Sequence, residues 1–165
     1  MEALGFSGGI WLFWDEADVS IEVITWNMQV MNAVVKGKDR DWLLSAVYAS
    51  ADEASRKKLW NYLTQVGLAI QFPWLLVGDF NEILASKEKK GGRPFWRERN
   101  HNMQPFIDQC NLIDLGFSGP GLTWTNFRDG RANVRKRLDR AISNRKWRFF
   151  FPEAQVVHLA RTHNI

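Results

Sequence analysis

The sequence predicts an α/β (α+β) fold with a mostly antiparallel sheet system, and three observations carry that expectation. Strand-like segments follow one another over the first third, one long amphipathic helix interrupts them after Tyr48, and an apolar run from Trp74 to Val77 then resumes the strand pattern. The chain has 165 residues, the length of a single domain, and neither an internal repeat nor a linker divides it.

Taken in order, the chain opens with GFSGGIWLFW, where glycines lead into an apolar run that reads as a buried strand. Residues 21–26 and 28–35 read as further strands, with Ile21, Val23 and Thr25 alternating and β-branched Val34 and Val35 closing the second. The polar KGKDRD segment then makes a hairpin-like connection into a strand over residues 42–48. Ser50 or Asp52 caps a helix over residues 52–69. Ala54, Leu59, Tyr62, Leu63, Val66 and Ile70 fall on one of its faces, with Arg56, Lys57 and Lys58 on the other. Residues 86–100, SKEKKGGRPFWRERN, are charged, aperiodic and broken by Gly-Gly, which predicts an exposed loop. A second helix follows, capped by Asn100 or Asn102, with Met103, Phe106, Ile107 and Cys110 as its buried stripe. The last third alternates turns with short strands: LIDLG, SGPGLTWTN, the RDGRAN turn and VRKRLDRAIS. Residues 144–150 form a short helix stopped by Pro152, and residues 154–159 one more strand.

Composition narrows the function classes. A hydrophobic content of 45% builds a real core and excludes a disordered tail. Lys and Arg number 22 against 18 Asp and Glu, and the net charge of +4 permits a polyanionic partner without demanding one. Nine Trp and eleven Phe serve either a Trp-rich core or rings exposed for stacking on bases. A lone cysteine, Cys110, leaves no disulfide partner within the chain and fits a reducing, intracellular compartment. The first residues lack a basic n-region and turn acidic early, so they read as neither signal peptide nor membrane span. Nothing in the sequence sets an oligomeric state.

Chemistry is concentrated in residues 74–83, WLLVGDFNEI. Gly78 ends the side-chain packing of a buried strand. Period two along an extended backbone then puts Asp79 and Asn81 on one face, with Phe80 turned into the core. A carboxylate and a carboxamide aimed together can bind a hard cation, or polarise a phosphate oxygen and an attacking water. The same residues suit a strand followed by an Asx turn, and on the residues alone both readings stand. The loop beyond carries Lys87, Lys89, Lys90, Arg93, Arg97 and Arg99 interleaved with Phe95 and Trp96. That mixture suits a phosphate backbone and stacked bases as well as it suits a solvated loop.

Six motifs in order, SGGIWLFW, AVYAS, LLVGDFNEI, EKKGGRP, GLTWTN and RLDRAISN, span nearly the whole chain. Together they resemble the endonuclease/exonuclease/phosphatase family, whose fold is shared with DNase I, and most closely the endonuclease domain of plant LINE-type retroelements. The resemblance implies a four-layer αββα sandwich of two sheets, Mg2+-dependent phosphodiester hydrolysis, DNA as a non-specific partner and a nuclear location. Position by position, it implies that Asp79 hydrogen-bonds or activates the attacking water, and that Asn81 supports the phosphate and the same water. Both would serve a metal. Tyr48 matches a tyrosine that reaches a phosphate oxygen, its alternative being a strand-end aromatic. Asp139 matches the carboxylate that orients a catalytic histidine, its alternative being a surface ion pair with Arg137 or Arg140. Trp124 and Asn126 lie in a segment similar to one lining the substrate groove, although a core role suits Trp124 equally. Arg131, Arg135 and Lys136 would form a basic rim for nucleic acid.

The departures from the family pattern are specific. Family members start with a strand ending in Asn and then a Gln-Glu motif whose glutamate is the principal Mg2+ ligand, both ahead of the GGI strand. ITWN, residues 24–27, imitates the first motif, but it follows GGIWLFW and no Gln-Glu comes after it. The family closes with Ser-Asp-His, whereas this chain ends LARTHNI. His163 is placed three positions before the catalytic histidine or, in another register, as that histidine. His101 and His158 carry no motif and read as surface or packing residues. These departures predict a domain truncated at both ends, with weak Mg2+ binding, impaired hydrolysis and an exposed sheet edge and apolar surface. Glu22, Glu82 and His163 are the substitute ligands to test. The alternative is a catalytically inactive, non-specific nucleic-acid-binding remnant.

Overall fold

The computed structural model describes residues 9–95 and 102–160. Strands β1 (Ser20–Trp26), β2 (Val30–Lys36) and β3 (Asp41–Tyr48) form the expected antiparallel meander. The second strand starts later than the sequence predicts because Asn27 builds a turn, its Oδ1 accepting the N–H groups of Gln29 at 2.8 Å and Val30 at 3.1 Å. Helix α1 (Glu53–Ala69) is capped by Asp52, whose carboxylate accepts the Ser55 N–H at 2.8 Å. It returns the chain to β4 (Trp74–Asp79), the one strand that pairs in parallel, with β3. Then follow β5 (Lys89–Lys90), α2 (Met103–Gln109), β6 (Ile113–Asp114), β7 (Trp124–Thr125), β8 (Arg135–Lys136), β9 (Asp139–Ser143) and α3 (Arg145–Phe150). A six-stranded sheet in the order β1-β2-β3-β4-β9-β6 and a three-stranded sheet in the order β5-β8-β7 make an α+β sandwich with the helices.

Period two divides the large sheet into two faces. Leu43, Val47, Trp74, Leu76 and Ile142 pack against Leu59, Trp60 and Leu63 of α1 and Met103, Phe106 and Ile107 of α2. Leu44, Leu75 and Ala141 lie on the other face, with Val35 and with Trp147 of α3. Gly78 does more than end the packing: a Cβ there would lie 2.0 Å from the Val47 carbonyl oxygen, so only glycine allows β4 to approach β3 at this level.

The structure corrects several expectations. The described part of the GGIWLFW segment, residues 9–14, is not assigned to a strand, and Trp11 and Phe13 are 71% and 83% exposed. Residues 154–159 likewise form no strand, only one bridge between Ser118 and Val157. Ala54 is exposed, and Trp60 takes its place on the buried stripe of α1. Arg56, expected on the solvent face, is held at the inner edge. The loop after Ala85 contains a 3-10 turn, Ser86–Glu88, with Glu88 buried, and then β5. Asn102 precedes α2 without a capping bond, while Asn100, with Trp96, Arg97, Arg99, His101 and His163, lies outside the described residues. No helix of the described residues is long and apolar enough to cross a membrane.

Candidate active site at the ends of three strands

Three adjacent strands bring three of the expected residues into one row. Tyr48 is the register partner of Asp79 across the parallel β3–β4 pair, and Asp79 is the partner of Asp139 across the antiparallel β4–β9 pair. Register partners present their side chains to the same face. That face is the one carrying Leu44, Leu75 and Ala141, at its C-terminal end on β3 and β4.

Asn81 joins the row by a different route from the one its spacing suggests. Strand β4 ends at Asp79, and Asn81 has φ +48°, so period two does not extend to it. Asparagine tolerates this left-handed backbone. The Asp79 Oδ1 accepts the Asn81 N–H at 2.7 Å, which is an Asx turn. The Asn81 Nδ2 donates to the Ala49 carbonyl at 2.9 Å, and the Ala49 N–H donates to the Asp79 carbonyl at 2.8 Å. The turn thus ties the residue after Asp79 and Phe80 to the residue after Tyr48. Both readings of this segment are realised together: the Asx turn exists, and it fixes Asn81 beside the row.

Electrostatics set the acids apart. Burial pushes the Asp79 carboxyl above the usual carboxylate range; the Asn81 N–H opposes this, the nearby Asp139 charge adds to it, and the Arg56 guanidinium lowers it. Asp139 is exposed and forms no ion pair among the described residues, so the alternative of a pairing with Arg137 or Arg140 is overturned. Those two arginines turn away to a buried network. Arg137 meets Glu88 at 3.1 Å and Asp114 at 2.8 Å, and Arg140 meets the same two carboxylates at 2.5 and 3.1 Å. The Thr123 Oγ1 holds the β8–β9 junction by accepting the N–H groups of Leu138 and Asp139 at 3.0 and 3.1 Å.

A second buried carboxylate supports the turn. Glu82 accepts from Trp60 Nε1 at 3.1 Å, the Met103 N–H at 2.9 Å and Arg56 Nε at 3.4 Å. Arg56 Nη1 also donates to the carbonyls of Ser50 and Ala51 at 2.9 and 2.7 Å, clamping the loop that receives the Asn81 amide. Sequence reasoning missed Arg56 and this role of Glu82. The signal was present: once Trp60 is counted as buried, Arg56, Leu59, Trp60 and Leu63 fall on one helical stripe. Glu82 thus carries three donors on its carboxylate, and Glu22 pairs with Lys36 at 2.8 Å on the β1–β2 edge, away from the row.

Hard oxygen donors for a divalent cation are present in kind. Among the described residues, with Nδ2 committed to Ala49, the Asn81 Oδ1 has no donor and Asp139 has no cationic partner. A cation would also relieve the mutual repulsion of Asp79 and Asp139, so these residues fit such a group. No cluster of three or more His, Cys, Asp or Glu exists among the described residues.

The groups expected to meet nucleic acid divide. Trp124 is 36% exposed, which rules out the core role, and Lys136 Nζ lies 5.4 Å from its ring centroid. Asn126 spends its side chain on the turn, accepting from Val134 N–H at 2.9 Å and donating to the Ala132 carbonyl at 2.9 Å. Arg131 and Arg135 are exposed. Trp124, Arg135 and Asp139 line a cavity of about 470 Å3 together with His158, whose ring stacks on Phe117 at 4.4 Å.

Residues 7–161 match the model of the Endonuclease/Exonuclease/phosphatase family. No curated protein sequence matches the chain. Its fold is similar to the endonuclease domain of TRAS1, a telomere-specific non-LTR retrotransposon, with a TM-score of 0.56 and 14% identity over 76% of this chain and 57% of that one. It is also similar to a beta hairpin deletion mutant of beta toxin from Staphylococcus aureus, with a TM-score of 0.51 and 12% identity over 82% of this chain and 49% of that one. The chain therefore spans about half the length of either structure. On a family match that covers nearly its whole length, the chain belongs to the endonuclease/exonuclease/phosphatase family.

Proposed function

We propose that this chain is a Mg2+-dependent phosphodiester hydrolase domain, an endonuclease acting on DNA, derived from a plant LINE-type retroelement. The observation that carries the reading is the single row of Tyr48, Asp79 and Asp139, with Asn81 tied beside it through Ala49. An Asp79 carboxylate made more basic by burial suits hydrogen bonding to an attacking water. The Tyr48 phenol is a donor for a phosphate oxygen, and the Asn81 amide orients the same water or phosphate. Asp139, exposed and without an ion pair among the described residues, would orient an imidazole. Asp79 and the Asn81 Oδ1 would hold the cation, which would offset charge building on the phosphate oxygens.

One carboxylate and one carboxamide, without the glutamate of the family's Gln-Glu motif, would make a poor site for Mg2+, so hydrolysis by residues 1–165 should be slow. The experiment is nicking of supercoiled plasmid in Mg2+, with a chelator control. Residues 1–165 should show little nicking. A protein rebuilt with a family-like Asn and Glu segment and a Ser-Asp-His end should cleave, and Asp79→Ala should abolish that cleavage. Robust nicking by residues 1–165, lost on Asp79→Ala, would show the site to be complete without those groups. A rebuilt protein that binds DNA but never cleaves would favour the second reading, an inactive nucleic-acid-binding module. The absence of a three-ligand cluster among the described residues is what keeps that reading open.

A further inference from the structure

The three-stranded sheet carries a charge arrangement that the row of acids does not use. Lys89 of β5 is the register partner of Lys136 of β8, and Lys90 is the partner of Arg135. Like charges directly opposite one another weaken a sheet. Here the ladder is only two residues long on each strand, so few backbone bonds offset the repulsion. None of the ion pairs among the described residues involves Lys89 or Lys136. Both lysines are half-buried.

Their surroundings suit an anion. Lys89 Nζ donates one proton to the Arg93 carbonyl at 2.5 Å, its one acceptor among the described residues. Lys136 has Trp124 as its register partner on the far side, and its Nζ lies over that ring. Burial, then the charges of Lys89 and Arg56, hold the Lys136 ammonium below the ordinary lysine range, and no carboxylate counters them. Lys136 lies three residues before Asp139, and its register partner Trp124 lines the same cavity as Asp139, so the lysine pair neighbours the row of acids.

We propose that Lys89 and Lys136 form a binding site for one phosphate of a nucleic-acid backbone, next to the row of acids and flanked by Trp124. The ligand class rests on the phosphodiester reading above, whereas the anion site itself rests on the register of β5 and β8.

The test uses residues 1–165 with Lys136→Gln and Lys89→Glu. Thermal melting is measured with and without inorganic phosphate, and binding of a short labelled DNA duplex is measured against salt. If the lysines are there for an anion, both variants melt higher than wild type without ligand, because repulsion is relieved; Lys89→Glu gains most, since it creates an ion pair with Lys136. The stabilising shift with phosphate shrinks in both. The slope of log affinity against log salt falls by about 1 for each lysine removed. Variants that melt lower and keep the wild-type salt slope would overturn the proposal, because the lysines would then be structural. A phosphate shift lost in the variants with an unchanged duplex slope would overturn the nucleic-acid assignment. Asp79→Asn should leave the slope intact, so failure of the hydrolase reading and failure of this one are separable.

Discussion

The two faces of the six-stranded sheet are both apolar, yet only one is sealed. Under α1 and α2, Trp60 stacks between Phe80 and Phe106 with centroids 6.1 and 5.8 Å apart, and Trp74, Leu63 and Leu76 fill the space around them. The opposite face is closed near α3, where Trp147 and Phe151 meet Trp42 edge-on at 5.9 Å. It then runs out toward β1, where Val23 and Trp26 are 40% and 66% exposed. Tyr48, Asp79 and Asp139 sit at the end of this open face. Their order comes from the sealed one: fully buried Phe80 pins the turn between Asp79 and Asn81, Ala49 anchors the Asn81 amide, and Glu82 ties the following residue to Trp60. The site is accessible from one side of the sheet and held rigid from the other.

The comparison breaks first at Trp60. Trp60→Ala leaves a cavity between two rings and strips a donor from Glu82, and it should cost about 3–5 kcal/mol in urea unfolding. A loss under about 1 kcal/mol would mean that the sealed face does not dominate stability.

Next in size is the network behind Asp139. Burial pushes Glu88 up, but the hydrogen bond and charge of Arg140 outweigh it and leave Glu88 below the usual carboxylate range. A lowered carboxylate contributes stability that is present above its unfolded pKa and lost as pH falls through its folded one. Glu88→Ala should therefore cost about 3 kcal/mol at neutral pH, at the low end for a broken buried pair because Asp114 still meets Arg140. The cost should shrink in acid, as a series of melts from neutral to low pH would record.

A smaller effect of opposite sign belongs to the open face. Asp79 is raised, so the stability of its protonated form is present in acid and lost as pH rises through the folded pKa. Asp79→Asn should raise the melting temperature at neutral pH, and the gain should vanish as the solution is acidified. An unchanged midpoint would mean that Asp79 is fully solvated. Smallest of all, Trp26→Ser on the exposed edge should change stability by less than about 0.5 kcal/mol. A large loss there would show that the open face is packed in solution.

How much of this was legible in the sequence follows the same division. The meander, α1 with its Asp52 cap, β4 and α3 were readable because periodicity and capping residues act over a few positions. The GGIWLFW and 154–159 segments misled because an apolar run is a strand only where a neighbour completes its ladder, and local sequence does not carry that information. At the site, Asp79 and Asn81 were found, but the geometry of Asn81 was not, since its positive φ depends on the Asp79 and Ala49 bonds. The Glu88, Asp114, Arg137 and Arg140 network joins residues as many as 52 positions apart, beyond any local pattern. The register of Lys89 with Lys136 was out of reach for the same reason.

The central claim is that Asp79 and Asp139 face the same side of the sheet as parts of one site. Carboxyl NMR titration of Asp79, in wild type and in Asp139→Asn, tests it most directly and needs no catalytic activity. Removing the Asp139 charge should lower the Asp79 pKa, because that charge now disfavours a second carboxylate beside it. An Asp79 titration unchanged by Asp139→Asn, in a variant whose fold is intact, would contradict the shared site.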